Sequence, residues 1–149
     1  MLDNVKKNNI LKVIFENIKD KRKLNIIKYN KRLTIKLDIN KEDFEIYITL
    51  KKFNNKYYTY IEDIDIKELN LHNRFKGNED LKDLVNINFN KLEVLDLLDN
   101  KISDINILEK VNFKELKILD LYDNNISDIK VLEKVKYEKL EKLYLIGNK

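Results

Sequence analysis

A catalytic centre needs a nucleophile, a general base or a metal ligand held against a substrate, and this chain offers few of them. His72 is the one histidine and cysteine is absent, which excludes thiol nucleophiles, thiolate zinc sites and disulfides. Carboxylates are plentiful, yet no stretch has the ligand spacing of an EF-hand loop. Gly77 and Gly147 are the only glycines, too few for a glycine-rich phosphate cradle. The expectation is a non-enzymatic protein with no cofactor and no metal site. The side chains that do recur at fixed spacing include Asp96 with Asp120 and Tyr122 with Leu98, types suited to contact rather than to bond-making.

The spacing that positions them is a period of 24. Leu92, Leu95, Leu97, Asn100 and Ile102 return as Leu116, Leu119, Leu121, Asn124 and Ile126, then as Leu140, Leu143, Leu145 and Asn148. Between them Ile105, Leu108, Val111 and Phe113 are answered by Ile129, Leu132, Val135 and Tyr137, while Leu81, Leu84, Ile87 and Phe89 precede both sets. A degenerate earlier unit has Ile66, Leu69 and Leu71 as its strand. Alternation within a short strand sends Leu95 and Leu97 inward and turns Val94, Asp96 and Leu98 outward. The asparagine that follows is expected to turn in and satisfy backbone groups of the bending chain, each costing about 1–3 kcal/mol if buried unpaired. Apolar residues from Ser103 to Lys114 lie at helical spacing and predict a short helix on the return path.

The pattern L-x-x-L-x-L-x-x-N-x-I over residues 66–149 resembles the leucine-rich repeat family. Its "NKISDI" and "NNISDI" stretches look like the short-repeat subclass of phosphatase regulators and bacterial internalins. The resemblance implies an α/β solenoid, with parallel strands on a concave face, short helices on the convex face and protein recognition on the concave side. Stacking the units then predicts three rows on that face: Val94, Ile118 and Lys142; Asp96, Asp120 and Tyr144; Leu98, Tyr122 and Ile146. The third row is an apolar stripe of the kind that marks contact surfaces, although the same residues also suit packing against a neighbouring loop. Two stacked aspartates favour a basic or mixed protein partner. Asp120→Ala is therefore expected to weaken binding while leaving the melting temperature alone.

Residues 1–60 read as a helical N-terminal cap ahead of repeats spanning 61–149. Ile10, Leu11, Ile14, Phe15 and Ile18 form one helical stripe, and Leu24, Ile26, Ile27 and Leu33 a second beyond the charged break from Lys19 to Lys23. The spacing of Ile14, Phe15, Ile18 and Leu24, followed by Tyr29, Asn30 and Lys31, resembles the F-box, and an F-box before leucine-rich repeats implies a substrate receptor that docks on a ubiquitin-ligase adaptor. The usual Leu-Pro opening of that motif is missing, as the chain has no proline. A cap that merely seals the first repeat needs the same apolar residues. From Asn40 to Phe53 the spacing predicts a helix carrying Phe44, Tyr47 and Ile48, with a hairpin through Tyr57 to Ile61 as the alternative.

Charge is divided unevenly. Residues 1–60 hold 15 Lys and Arg against 7 Asp and Glu, a balance of +8, and the remainder holds 15 against 19, a balance of −4. The cluster Lys19, Lys21, Arg22, Lys23, Lys28, Lys31 and Arg32 is the one argument for nucleic acid, but stacking aromatics are not interleaved with it. Apolar residues make up 43% and charged residues 38%, and neither a membrane span nor a signal-peptide core stands out. A cytoplasmic scaffold-like protein with no membrane contact is expected. Leu140, Leu143 and Leu145 would face water at an uncapped final repeat, which predicts either a longer parent chain or end-to-end self-association.

Overall fold

The computed structural model describes residues 23, 30, 32, 35, 41–62, 64–135 and 137–149. Two compact units divide the chain, residues 1–48 and 49–149. The first continuous helix, α1, spans Lys41–Tyr57, so the region open to helix or hairpin is helical through Tyr57. Among the residues described before it, Lys23 is helical and only 2% exposed, its ammonium 3.4 Å from the Tyr47 hydroxyl and 4.9 Å from that ring's centroid. It is thus withdrawn from the basic cluster by burial and by attraction to the ring face.

From residue 68 onward the chain alternates strand and return segment: β1 (Glu68–Asn70), α2 (Asn78–Val85), β2 (Val94–Asp96), a 3-10 helix (Asn106–Lys110), β3 (Ile118–Asp120), α3 (Val131–Lys134) and β4 (Lys142–Tyr144). The four strands form one parallel sheet in sequential order. Leu69, Leu95, Leu119 and Leu143 are direct neighbours across it. The register advances by 26 residues from β1 to β2, then by 24 at each later step. Much of the difference is taken up by α2, which runs eight residues where its counterparts run five and four.

The return segments show why short helices form. In the segment after β2 the Leu108 and Val111 N–H groups donate to the Ile105 and Leu108 carbonyls, three residues back, which is the bonding of a 3-10 helix rather than of an α-helix. The expected helix over 103–114 is accordingly a 3-10 helix of five residues. Three residues past each strand the backbone is left-handed: Asn73, Asp99 and Asp123 have φ of 52°, 51° and 49°, and Gly147 has φ 78°. Asn, Asp and Gly are the residues that tolerate this conformation. At Gly147 a Cβ would also sit 1.9 Å from Asp123 Oδ1.

Beneath the sheet the core is nearly all aliphatic or phenyl. Leu92, Leu95, Leu97, Leu116, Leu119 and Leu121 have no exposed surface, and Phe89 and Phe113 are buried with them. The asparagines after the strands act as expected. Asn124 Oδ1 accepts the Ile102 N–H at 3.0 Å, while Nδ2 donates to the Leu97, Leu121 and Tyr122 carbonyls at 2.9, 3.2 and 3.2 Å. Asn100 and Asn148 repeat this bridge, taking the N–H of Phe75 and of Ile126.

At the β1 end the core is closed by the last turns of α1. Leu50, Phe53 and Tyr57 are buried, with the Tyr57 ring edge-on to Phe53 at 4.6 Å and tilted against Phe75 at 4.8 Å between ring centroids. Its hydroxyl lies 2.6 Å from Asp83 Oδ2 and 3.1 Å from Asp80 Oδ1, and Lys56 reaches the same oxygens at 2.8 and 2.7 Å. Bonds to Asp80 and Asp83 push the Lys56 ammonium well above its ordinary value, and burial, reinforced by Asp83, pushes the Tyr57 phenol up. Tyr137 is raised by burial alone. For Asp80 burial pushes upward, but Lys56, the Lys76 N–H and Tyr57 outweigh it and hold the carboxyl below the usual range.

These raised values fix the alkaline behaviour. A group whose folded pKa lies above its unfolded one contributes stability fully below the unfolded pKa and loses it as pH rises towards the folded pKa. Unfolded Tyr and Lys titrate near 10, so the melting temperature is expected to hold to about pH 9.5 and then decline through pH 12. Tyr57→Phe should make that decline shallower relative to its own value at pH 8. Parallel curves for the two proteins would contradict the assignment.

Candidate interaction face

The side of the sheet turned away from the leucine core carries every residue the sequence places on it. The strand register sets Glu68, Val94, Ile118 and Lys142 in one row and Asn70, Asp96, Asp120 and Tyr144 in the next. Backbone bonds from Asn73, Asp99 and Asp123 to the carbonyls of Leu98, Tyr122 and Ile146 continue this register past the strand ends. They align His72, Leu98, Tyr122 and Ile146 as a third row. Val94, Ile118, Leu98 and Tyr122 are half-buried, whereas Lys142, Tyr144 and Ile146 are exposed, Ile146 to 70%. Sequence reasoning left β1 out of these rows, and Glu68, Asn70 and His72 belong to them. Only the longer first step, 26 residues instead of 24, hides this.

The aspartates of the middle row do more than carry charge. Asp96 Oδ1 accepts the Leu98 N–H at 2.9 Å, and Asp120 Oδ1 accepts the Tyr122 N–H at 2.9 Å. Asn70 makes the equivalent bond to His72 at 3.0 Å and donates to Asp96 Oδ2 at 2.8 Å. Each is a side-chain turn that caps its strand. Removing Asp120 as alanine therefore costs a backbone hydrogen bond, about 0.5–1.5 kcal/mol, so the expected invariance of melting temperature does not hold. Asp120→Asn is the cleaner probe, since it keeps the acceptor and removes the charge.

Beside this face run two charged rows. Glu93 is clamped between Lys67 at 2.7 Å and Lys117 at 2.6 Å. Those two bonds, Lys117 first, hold its carboxyl down at about 2, and Glu93 in turn raises Lys117. Glu141 is the next residue in that row, at the same 24-residue step. In the neighbouring row Asp65 pairs with Lys91 and Glu115 with Lys139. The signs alternate along each row and oppose between them. The alternation is present in the sequence at the strand-to-strand spacing, a signal that a search for motifs passes over.

Ile14, Phe15, Ile18 and Leu24, the residues with F-box spacing, lie outside the described residues. Among the described residues no three His, Asp or Glu side chains gather as metal ligands, and no helix is long and apolar enough to cross a membrane. Comparison with protein-family models and with curated proteins gave no match to this chain.

Proposed function

We propose that residues 66–149 form a leucine-rich repeat module that binds a partner protein across the outward face of the parallel sheet. One observation carries this reading: the third row puts Leu98, Tyr122 and Ile146 side by side on an open face, beside the carboxylates of Asp96 and Asp120 in the second row. Such a surface has an apolar centre with anionic neighbours, and aromatic side chains there give large contact area at small rotamer cost. The chemistry favoured in the partner is an apolar or aromatic anchor flanked by Lys or Arg. Neighbouring strands about 4.8 Å apart are fixed by backbone bonds, so the face is preorganised and little ordering entropy opposes binding.

The test compares the unaltered chain with Tyr122→Ala and Asp120→Asn as immobilised baits, followed by titration of each retained protein. Tyr122→Ala should weaken the specific partner tenfold or more, about 1.4 kcal/mol, and Asp120→Asn should weaken it most at low salt. Partners that bind both variants as tightly as the original chain would remove the face from consideration.

A further inference from the structure

The sheet has two free edges among the described residues, β1 and β4, and they complement one another. At the β4 edge Leu143 is 38% exposed and Tyr144 41%, although Leu95 and Leu119 in the same row have no exposed surface. Along the outer edge of β1 runs an open groove of about 750 Å³, bounded by Tyr58 and Tyr60 on one side and Glu68, Asn70 and His72 on the other. Tyr58 is 75% and Tyr60 96% exposed, unusual for rings that size unless something covers them.

Charge is matched at these edges in three rows. Lys139 closes the row that Asp65 opens, Glu141 closes the row that Lys67 opens, and Lys142 closes the row that Glu68 opens. Backbone groups match in the same register. Leu71, Leu97 and Leu121 donate to the carbonyls of Asp96, Asp120 and Tyr144, and Asn73, Asp99 and Asp123 to those of Leu98, Tyr122 and Ile146. Continuing the ladder leaves the N–H groups of Leu145 and Gly147 pointing outward from β4. It leaves the carbonyls of Asn70 and His72 pointing outward from β1.

We propose that β4 of one copy of this chain adds in parallel to the outer edge of β1 of a second copy, head to tail. Leu145 and Gly147 then donate to Asn70 and His72 of the second copy, Lys142 meets Glu68, and Tyr58 and Tyr60 cover the exposed leucine edge. Two different surfaces meet in this contact, so each added copy presents a fresh β4 edge and assembly is open-ended. A two-fold pairing of β4 with itself would bring none of the three charge matches together.

The experiment is sedimentation velocity over a range of protein concentration, with Glu68→Lys and Lys142→Glu, both at exposed positions. The unaltered chain should grow in mass with concentration at low salt and less so at 0.5 M salt, by screening. Each variant alone places like charges together and should associate roughly tenfold more weakly. Mixing the two variants restores opposite charges at every contact, as does combining both changes in one chain, and both should recover assembly. At concentrations too low for assembly, circular dichroism melts of the variants should match the original. A single-chain mass at every concentration, an assembly indifferent to the swaps, or a mixture that fails to recover it overturns the proposal. Tyr122→Ala, which probes the outward face, should leave this assembly unchanged, so the two readings fail separately.

Discussion

Replacing Asn124 with alanine is expected to destabilise the protein by about 3–5 kcal/mol, measured as a lowered urea midpoint with an unchanged slope. The side chain is 6% exposed and joins two levels of the sheet. It accepts from Ile102 in one return path and donates to Leu97 in β2's turn and to Leu121 and Tyr122 after β3. Truncation strands the Leu97 carbonyl away from water, at about 1–3 kcal/mol, and takes one of two partners from the Ile102 N–H and the Leu121 carbonyl, which keep the Asn100 carbonyl and Asn148 Nδ2, at about 0.5–1.5 kcal/mol each. Asn124→Asp should be no better, because it keeps the acceptor while setting a charge against carbonyl oxygens. Asn148 makes the same pattern of bonds from a half-exposed position, so water can replace its amide and Asn148→Ala should cost nearer 1–2 kcal/mol. Equal losses at the two sites, or a loss below about 1 kcal/mol at Asn124, would mean that the bridge is not what holds these turns.

That gradient bears on what the sequence makes legible. Position in the sheet follows from spacing: residues 24 apart, such as Leu95, Leu119 and Leu143, are strand neighbours, and inward and outward faces follow from alternation. The asparagine bridges follow too, because a buried amide after a strand has few uses other than backbone satisfaction. Hidden from a 24-residue search is the first strand, which is displaced by 26, so Glu68 and His72 drop out of the rows they belong to. Helix type is poorly legible for a related reason. Ile102, Ile105 and Leu108 match an α-helical stripe and a 3-10 period almost equally, and only the short span between strands decides between them.

The outward face shows the opposite weakness. Its membership is legible to the residue, yet the sequence cannot separate an aspartate that faces a partner from one that caps its own strand. Asp96 and Asp120 do the second through one oxygen each, while their charge still faces outward. The alternating rows through Glu93 and Glu115 escape notice because lysine and glutamate are so common here that no single pair stands out. Depressed to about 2, Glu93 contributes stability above the ordinary glutamate range near 4.3 and loses it as pH falls towards 2.

Closure of the core at the β1 end rests on one side chain more than any other, and Tyr57→Ala is expected to cost about 3–5 kcal/mol. The ring is 1% exposed between Phe53 and Phe75, so truncation opens a cavity at the junction of α1 with the first return segment. It also strips a donor from Asp83 and Asp80, of which Asp80 is 8% exposed. Lys56 still neutralises both carboxylates, which keeps the polar part of the loss small. Tyr57→Phe isolates that part and should cost about 0.5–1.5 kcal/mol. Because α1 covers Phe75 and Phe89 from one side only, the alanine variant should expose amide protons of α2 to exchange sooner than those of β3. Uniform acceleration across both elements would show instead that residues 49–149 open as one cooperative body, with α1 as integral to it as the central strands.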